Sequence, residues 1–226
     1  MAKKPNDIFK KLTSPAAQAI YPYLSTPDTG KFAPPGGQFK VSIRLPAGDP
    51  FVEALDAEAD RCFAIIQEEL AADPKTKKKV ATLKRGVPYK VETDDEGDPT
   101  GTVLVTVKRK VLGKDKRTGE VTKATIPLFD GAGNKLPAGV DVWGGSTVRV
   151  SINTFPYHVE GQQLAGVSLR LGAVQVLELV TRGGGRASDF GFETDGEALD
   201  VEVPAAAEPE QADETTEEGA GNGVDF

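Results

Sequence analysis

Cysteine and histidine are scarce in this sequence, since Cys62 and His158 are the only ones among its 226 residues. A single cysteine excludes intramolecular disulfides and cannot build a thiolate metal site. A single histidine leaves little room for the common zinc sites or for histidine-based catalysis. Phosphate-loop, Gly-x-Ser-x-Gly and His-Glu-x-x-His motifs do not occur either. The sequence therefore predicts a protein that is not an enzyme and that uses no metal or cofactor.

Long apolar segments are missing as well. The longest run, residues 174–180, is interrupted by Gln175 and Glu178, whereas a membrane-spanning helix needs about 20 apolar residues. The opening Met-Ala-Lys-Lys-Pro lacks the apolar stretch of a secretory signal. We therefore expect a cytoplasmic protein that does not associate with membranes.

Charge is unevenly distributed along the chain. The whole sequence has a net charge of −7, but residues 187–226 hold 13 acidic residues and no lysine or arginine. Residues 1–186 consequently carry a net charge of +6. A basic body followed by an acidic tail is a pattern that favours nucleic-acid binding.

Alternating apolar and polar residues predict five β-strands, at 38–45, 102–112, 121–129, 147–157 and 167–180. One helix is predicted after Asp49, a suitable N-cap, with Pro50 in its first turn and Pro74 beyond its end. Its apolar stripe comprises Phe51, Leu55, Ala59, Cys62, Phe63, Ile66 and Leu70.

These elements favour an all-β fold, an OB-type five-stranded barrel with one amphipathic helix. A flat five-stranded sheet with one helix fits the pattern too. Residues 1–37 are predicted to be an extended arm that packs on the domain, and residues 38–182 are the barrel. Residues 183–226 begin with three glycines and continue as an acidic segment, which composition predicts to be disordered.

Basic and aromatic residues share the polar faces of the predicted strands. Cations that follow phosphates, together with rings on which bases stack, are what single-strand binding without sequence preference requires. Alternatively, the face is simply solvated and the arm covers its rings. The candidate DNA-binding residues are Lys40, Arg44, Lys108, Lys110, Arg149, Phe155, Tyr157 and Arg170.

The acidic tail ends in Asp225 and Phe226. An aromatic ring beside a terminal carboxylate makes a peptide ligand for a partner protein. The acidic residues before it could also compete with DNA for a basic groove on the same chain.

Many segments resemble the single-stranded DNA-binding proteins of T7-type bacteriophages. They occur in the same order and cover most of the chain. They are Met-Ala-Lys-Lys at 1–4, Tyr-Pro-Tyr-Leu-Ser-Thr-Pro-Asp at 21–28, Gly-Gln-Phe-Lys-Val-Ser-Ile-Arg-Leu-Pro at 37–46, Asp-Pro at 49–50, Gly-Gly-Ser-Thr-Val-Arg-Val at 144–150, Pro-Tyr at 156–157, Gly-Val-Ser-Leu-Arg-Leu at 166–171, residues 174–179, the glycines 183–185 and the acidic tail.

The resemblance implies an OB-fold protein of phage DNA replication, recombination and repair, working in the cytoplasm of the infected bacterium. Such a protein coats single-stranded DNA, anneals complementary strands and forms homodimers. Its tail recruits the phage DNA polymerase and the primase-helicase, a role that carries over to Phe226. Residues 82–102 depart from the family pattern. The alternative is a phage structural or assembly protein whose β-domain binds protein and whose tail blocks premature assembly.

Overall fold

Eleven β-strands and one α-helix form in residues 9–114 and 117–180, the parts of the chain that the computed structural model describes. Two short 3₁₀ turns, Lys77–Thr82 and Glu160–Gln162, accompany them. The elements are β1 (Lys10–Thr13), β2 (Ala17–Asp28), β3 (Gln38–Pro46), α1 (Pro50–Ala72), β4 (Lys84–Arg85), β5 (Lys90–Thr93), β6 (Pro99–Lys110), β7 (Leu112–Lys114), β8 (Val121–Lys123), β9 (Leu128–Phe129), β10 (Thr147–Val159) and β11 (Leu164–Glu178).

Five long strands pair in a closed ring in the order β2, β3, β6, β11 and β10, with β10 pairing back to β2. All neighbours in the ring are antiparallel except β6 and β11. Apolar side chains from alternate positions fill the interior. The most deeply buried include Val41, Ile43, Val105, Val150, Ile152 and Leu171. The shorter strands attach outside the ring, and β7 and β8 form a separate antiparallel hairpin.

The helix begins and ends where the sequence predicts. The Asp49 carboxylate accepts a hydrogen bond from the Phe51 amide at 2.8 Å, and the helix stops at Ala72, before Pro74. Its buried residues are Val52, Leu55, Glu58, Ala59, Cys62, Ile65 and Ile66. Phe51, Phe63 and Leu70, predicted in the buried stripe, are only partly buried. The helix packs against β10 and β11.

Burial makes Cys62 the inert core residue that its position on the helix suggests. Its side chain is inaccessible to solvent, and loss of solvation raises the pKa of the thiol to about 11. None of the described helices is long and apolar enough to cross a membrane.

The prediction of an extended arm was wrong for residues 10–28, which form β1 and β2. Strand β2 is a wall of the ring, between β10 and β3. Its alternation is carried by Ala17 and Ala19, whose small side chains give a weak apolar signal. The pattern then breaks at a register shift around Tyr21, a non-glycine residue at φ +48°. A bulge changes which side chains face inward, so the period of two is lost.

The prediction of one continuous strand at residues 121–129 was also wrong. It divides into β8, which pairs with β7, and β9, which pairs with β11. Between them, Pro127 lacks the amide hydrogen that a continuous strand would use, although its carbonyl accepts a hydrogen bond from Val174 at 3.0 Å. The remaining four predicted strands correspond to β3, β6, β10 and β11.

Candidate nucleic-acid interface

A row of polar residues crosses the outer face of the ring at one level. Lys40 on β3 is in register with Lys108 on β6, and Lys108 with Arg170 on β11. Arg170 is in register with Asn153 on β10, and Asn153 with Lys11 on β1. With neighbouring strands about 4.8 Å apart, the row extends roughly 19 Å. We call it the basic row. Like charges placed opposite one another repel, so this arrangement favours a bound polyanion.

A groove of about 1160 Å³ lies between this face and the β7–β8 hairpin. Of the residues 9–114 and 117–180, six cations and no acidic side chain line it, and none of the six forms an ion pair within these ranges. A cleft of one charge sign concentrates the electrostatic potential and attracts ligands of the opposite sign. The six are Lys108, Arg109, Lys110, Lys114, Lys123 and Arg170.

Three of the predicted DNA-binding residues, Lys108, Lys110 and Arg170, therefore come together in the groove. Sequence reasoning missed the other three cations. Arg109 interrupts the apolar side of its strand, and that interruption was the one signal that could have marked it. Lys114 and Lys123 lie on the hairpin, and local periodicity does not specify how a hairpin folds over a distant strand.

Lys40 and Arg44, also predicted to bind DNA, are already paired with carboxylates. The Lys40 Nζ lies 2.7 Å from an Asp28 oxygen and 4.7 Å from the centre of the Tyr23 ring. Arg44 donates two hydrogen bonds to Glu92, at 2.7 and 2.8 Å. The hydrogen bond from Lys40 lowers the pKa of Asp28, and the hydrogen bond from Arg44 lowers the pKa of Glu92. Both carboxylates thus stay ionised and offset the charge of their partners.

The remaining three predicted residues, all on β10, lie outside the groove lining. Arg149 is exposed near the opposite end of the strand, in register with Gln175. Tyr157 lies opposite Gly166, and a Cβ on Gly86 would collide with its hydroxyl. Glycine at position 86 therefore makes room for the Tyr157 side chain.

Phe155, on the same face of β10, contacts two residues. Its ring stacks with Phe9 at a centroid distance of 5.8 Å, and the Arg170 guanidinium lies 4.7 Å from its centre. Through Arg170, this ring adjoins both the groove and the basic row.

Within residues 82–102, the side chains of Arg85 and Tyr89 are hydrogen-bonded to the helix. Arg85 donates a hydrogen bond to the Asp56 carboxylate at 2.8 Å, and the Tyr89 hydroxyl donates another at 2.8 Å. Burial alone would raise the pKa of Asp56, but these hydrogen bonds and the positive charge of Arg85 lower it. Arg85 and Tyr89 therefore hold β4 and the following chain against α1.

Neither a metal site nor the tail can be placed on this surface. No group of three or more His, Cys, Asp or Glu side chains in residues 9–114 and 117–180 is arranged to hold a metal ion. Asp225 and Phe226, predicted to bind partner proteins, lie outside the described residues, as do the glycines 183–185 and the acidic segment.

The family model described as "Single-stranded DNA-binding protein, Bacteriophage T7" matches residues 16–179. The chain belongs to this family. It is 30% identical over 187 residues to the single-stranded DNA-binding protein of Enterobacteria phage T3, which covers 77% of this chain and 78% of that one. It is 31% identical over 176 residues to the corresponding protein of Escherichia phage T7, covering 73% of this chain and 74% of the relative.

A solved member of the family has the same fold. The crystal structure of gp2.5, a single-stranded DNA binding protein encoded by bacteriophage T7, superposes with a TM-score of 0.58 at 27% identity. The match covers 84% of this chain and 99% of the other. The T7-type resemblance predicted from the sequence is confirmed, as is a mostly-β fold with one main helix. Residues 16–179 include all six groove cations.

Proposed function

We propose that this protein coats single-stranded DNA without sequence preference during phage DNA replication and recombination. The observation that carries the proposal is the groove, where six cations meet no acidic side chain from the part of the chain that the structure describes. Phosphates would replace the missing counter-charges. Membership of a family of phage single-stranded DNA-binding proteins supports the same conclusion.

The aromatic residues beside the groove favour single strands over duplexes. Phe155 and Tyr157 lie near one end of β10, and Phe9 stacks on Phe155 there, so this cluster of rings adjoins the basic row through Arg170. Stacking on an aromatic ring needs an unpaired base and does not depend on which base it is. A duplex keeps its base faces covered and could use only the cations.

We further propose that the acidic segment recruits the phage DNA polymerase and the primase-helicase through Asp225 and Phe226. Its 13 acidic residues would also compete with DNA for the groove. A flexible chain of about 40 residues spans roughly 35 Å, and a domain of about 186 residues has a radius of gyration of about 16 Å. A segment of this length could therefore reach the groove. By analogy with the family, we also propose that the protein forms homodimers, anneals complementary strands and acts in the cytoplasm of the infected host.

Titration of one labelled sequence as single strand and as duplex, at several salt concentrations, tests DNA binding. If about four phosphates are neutralised, the logarithm of the binding constant should fall against the logarithm of the salt concentration with a slope near −3, since each single-strand contact contributes about −0.7. The single strand should bind more tightly than the duplex. Equal affinities, or binding that does not respond to salt, would contradict the proposal.

A further inference from the structure

The ring of Phe155 has neighbours on both sides. Phe9 precedes β1, and Arg170 lies on β11. Both strands pair with β10, β1 along one edge and β11 along the other. Phe9 and Arg170 therefore approach Phe155 from opposite sides, at 5.8 and 4.7 Å from its centre. This leaves Phe155, predicted from the sequence to stack on a base, with little free ring surface.

Phe9, Phe155 and Arg170 form a column of three side chains, and Phe9 is its solvent-exposed end. This residue is 42% exposed, whereas Phe155 is only partly accessible. Among the described residues no strand pairs with the outer edge of β1. Lys11, two positions further along the chain, belongs to the basic row, and alternate residues of a strand share a face. An accessible ring thus lies beside the last cation of the row.

A polar network with two buried side chains, Thr154 and Glu58, anchors Lys10, the residue that follows Phe9. The backbone amide of Lys10 donates a hydrogen bond to the Thr154 hydroxyl oxygen at 3.2 Å, and that hydroxyl donates to the Glu58 carboxylate at 2.5 Å. The Lys10 ammonium lies 3.6 Å from Glu58, whose side chain is 4% exposed. Because β1 is tied to β10 and α1, less conformational freedom is lost when Phe9 meets a ligand.

We propose that Phe9 is a base-stacking residue at the β1 end of the basic row, and that Phe155 is a positioning residue that holds Phe9 and Arg170 in place. The inference rests on the proposed binding of single-stranded DNA and names one further contact within that site. Phosphates that follow Lys108, Arg170 and Lys11 would bring an adjacent base over the outer face of Phe9.

Tryptophan fluorescence distinguishes the two rings. Full-length Phe9→Trp and Phe155→Trp proteins are titrated with an oligothymidylate, and the emission of the native Trp143, recorded with the wild-type protein, is subtracted. Stacking on a base quenches indole emission, so we expect strong quenching for Phe9→Trp and little for Phe155→Trp. Anisotropy of a labelled strand, measured in parallel, reports binding independently.

Affinity variants provide the second measurement. Phe9→Leu keeps an apolar side chain against Phe155 but has no ring, so it should bind roughly tenfold more weakly with an unchanged salt slope. Phe9→Tyr should bind like the wild type. The matched control Lys11→Ala should instead make the salt slope shallower by about 0.7.

The inference is overturned if Phe9→Trp binds the strand without being quenched more than Phe155→Trp, or if Phe9→Leu binds as tightly as the wild type. Either result leaves the proposed function standing. Absence of an anisotropy change for the wild-type protein contradicts the proposed function itself, so the two failures are distinguishable.

Discussion

Ion pairing decides which basic residues on this surface remain available to phosphates. Lys40 and Lys108 lie opposite each other on neighbouring strands. The alternation of the sequence predicts that both lie on the polar face and bind DNA. Asp28 binds Lys40 at 2.7 Å, whereas within the described residues no acidic side chain pairs with Lys108. The charge of Lys40 is therefore largely offset before any ligand arrives, and that of Lys108 is not.

Comparing Lys108→Ala with Lys40→Ala tests this difference at two matched positions. Loss of a free cation should weaken binding to a single strand and make the salt slope shallower by about 0.7. Loss of Lys40 should have a smaller effect, since its removal also releases Asp28. The converse variant, Asp28→Asn, frees Lys40 and should tighten binding. Oligonucleotide titrations at several salt concentrations measure all three, and equal slopes for the two lysine variants would show that pairing with Asp28 does not matter.

At the scale of secondary-structure elements, local periodicity reveals four strands and the helix, because their alternation is carried by large apolar residues. It misses β2, where Ala17 and Ala19 carry the inward face and a bulge at Tyr21 breaks the register. It also joins β8 and β9 into one strand, because a chain that moves from one partner strand to another leaves no local signal.

The residues of the candidate site, like the strands, could be predicted only where a local sequence pattern marks them. Lys108, Lys110 and Arg170 could be predicted because each lies on the polar side of a recognisable strand. The contribution of Lys114 and Lys123 depends on the placement of the hairpin. Likewise, the pairing of Arg44 with Glu92 joins residues 48 positions apart, and no pattern in the sequence predicts which acid meets which base.

The junction of β1, β10 and α1 depends on the buried carboxylate of Glu58. Burial raises its pKa, but hydrogen bonds from Arg61 and Thr154 and the charges of Arg61 and Lys10 outweigh that effect and hold the pKa below its usual value. A carboxylate with a lowered pKa in the folded state stabilises the fold above its unfolded-state pKa of about 4.5. That contribution is lost as the pH falls through the lower, folded-state pKa.

Replacement of Thr154 with Val removes one donor to this carboxylate and should cost about 1–3 kcal/mol of unfolding free energy at pH 7. Thr154→Ser keeps the hydroxyl and is the matched control. The difference between the Val variant and the wild type should shrink below pH 4.5, as Glu58 becomes protonated and needs its donors less. Urea denaturation across this pH range measures it. A Val variant as stable as the wild type at pH 7 would contradict the role assigned to the network.

At the scale of the whole molecule, charge is unevenly distributed along the chain and also over the surface of the basic part, residues 1–186. Several basic residues are paired with acids: Arg61 with Glu58, Lys79 with Glu160, and Arg85 with Asp56. The groove cations, by contrast, form no ion pair among the described residues, so positive charge is left unbalanced there. Any polyanion, whether DNA or the acidic segment of the same chain, would be drawn to that groove first.

Two deletions separate the proposed roles of the acidic segment. Truncation after Gly185 removes 13 acidic residues and leaves a net charge of +5. If the segment competes for the groove, the truncated protein should bind single strands more tightly, and the difference should shrink as salt screens the charges. Removal of Phe226 alone deletes a ring while leaving a terminal carboxylate on Asp225. DNA affinity should then stay the same, whereas binding to the phage polymerase should fall if, as proposed, the partner recognises ring and carboxylate together.

The measurement is a pair of titrations, one with an oligonucleotide and one with the polymerase, on the full-length, truncated and Phe226-deleted proteins. DNA binding displaces the acidic segment in this scheme, so coating of a strand and recruitment of the polymerase should reinforce each other. Polymerase affinity of the full-length protein should accordingly rise when the oligonucleotide is added. Unchanged DNA affinity after truncation at low salt would rule out competition for the groove. Unchanged polymerase binding without Phe226 would leave the segment no role beyond its charge.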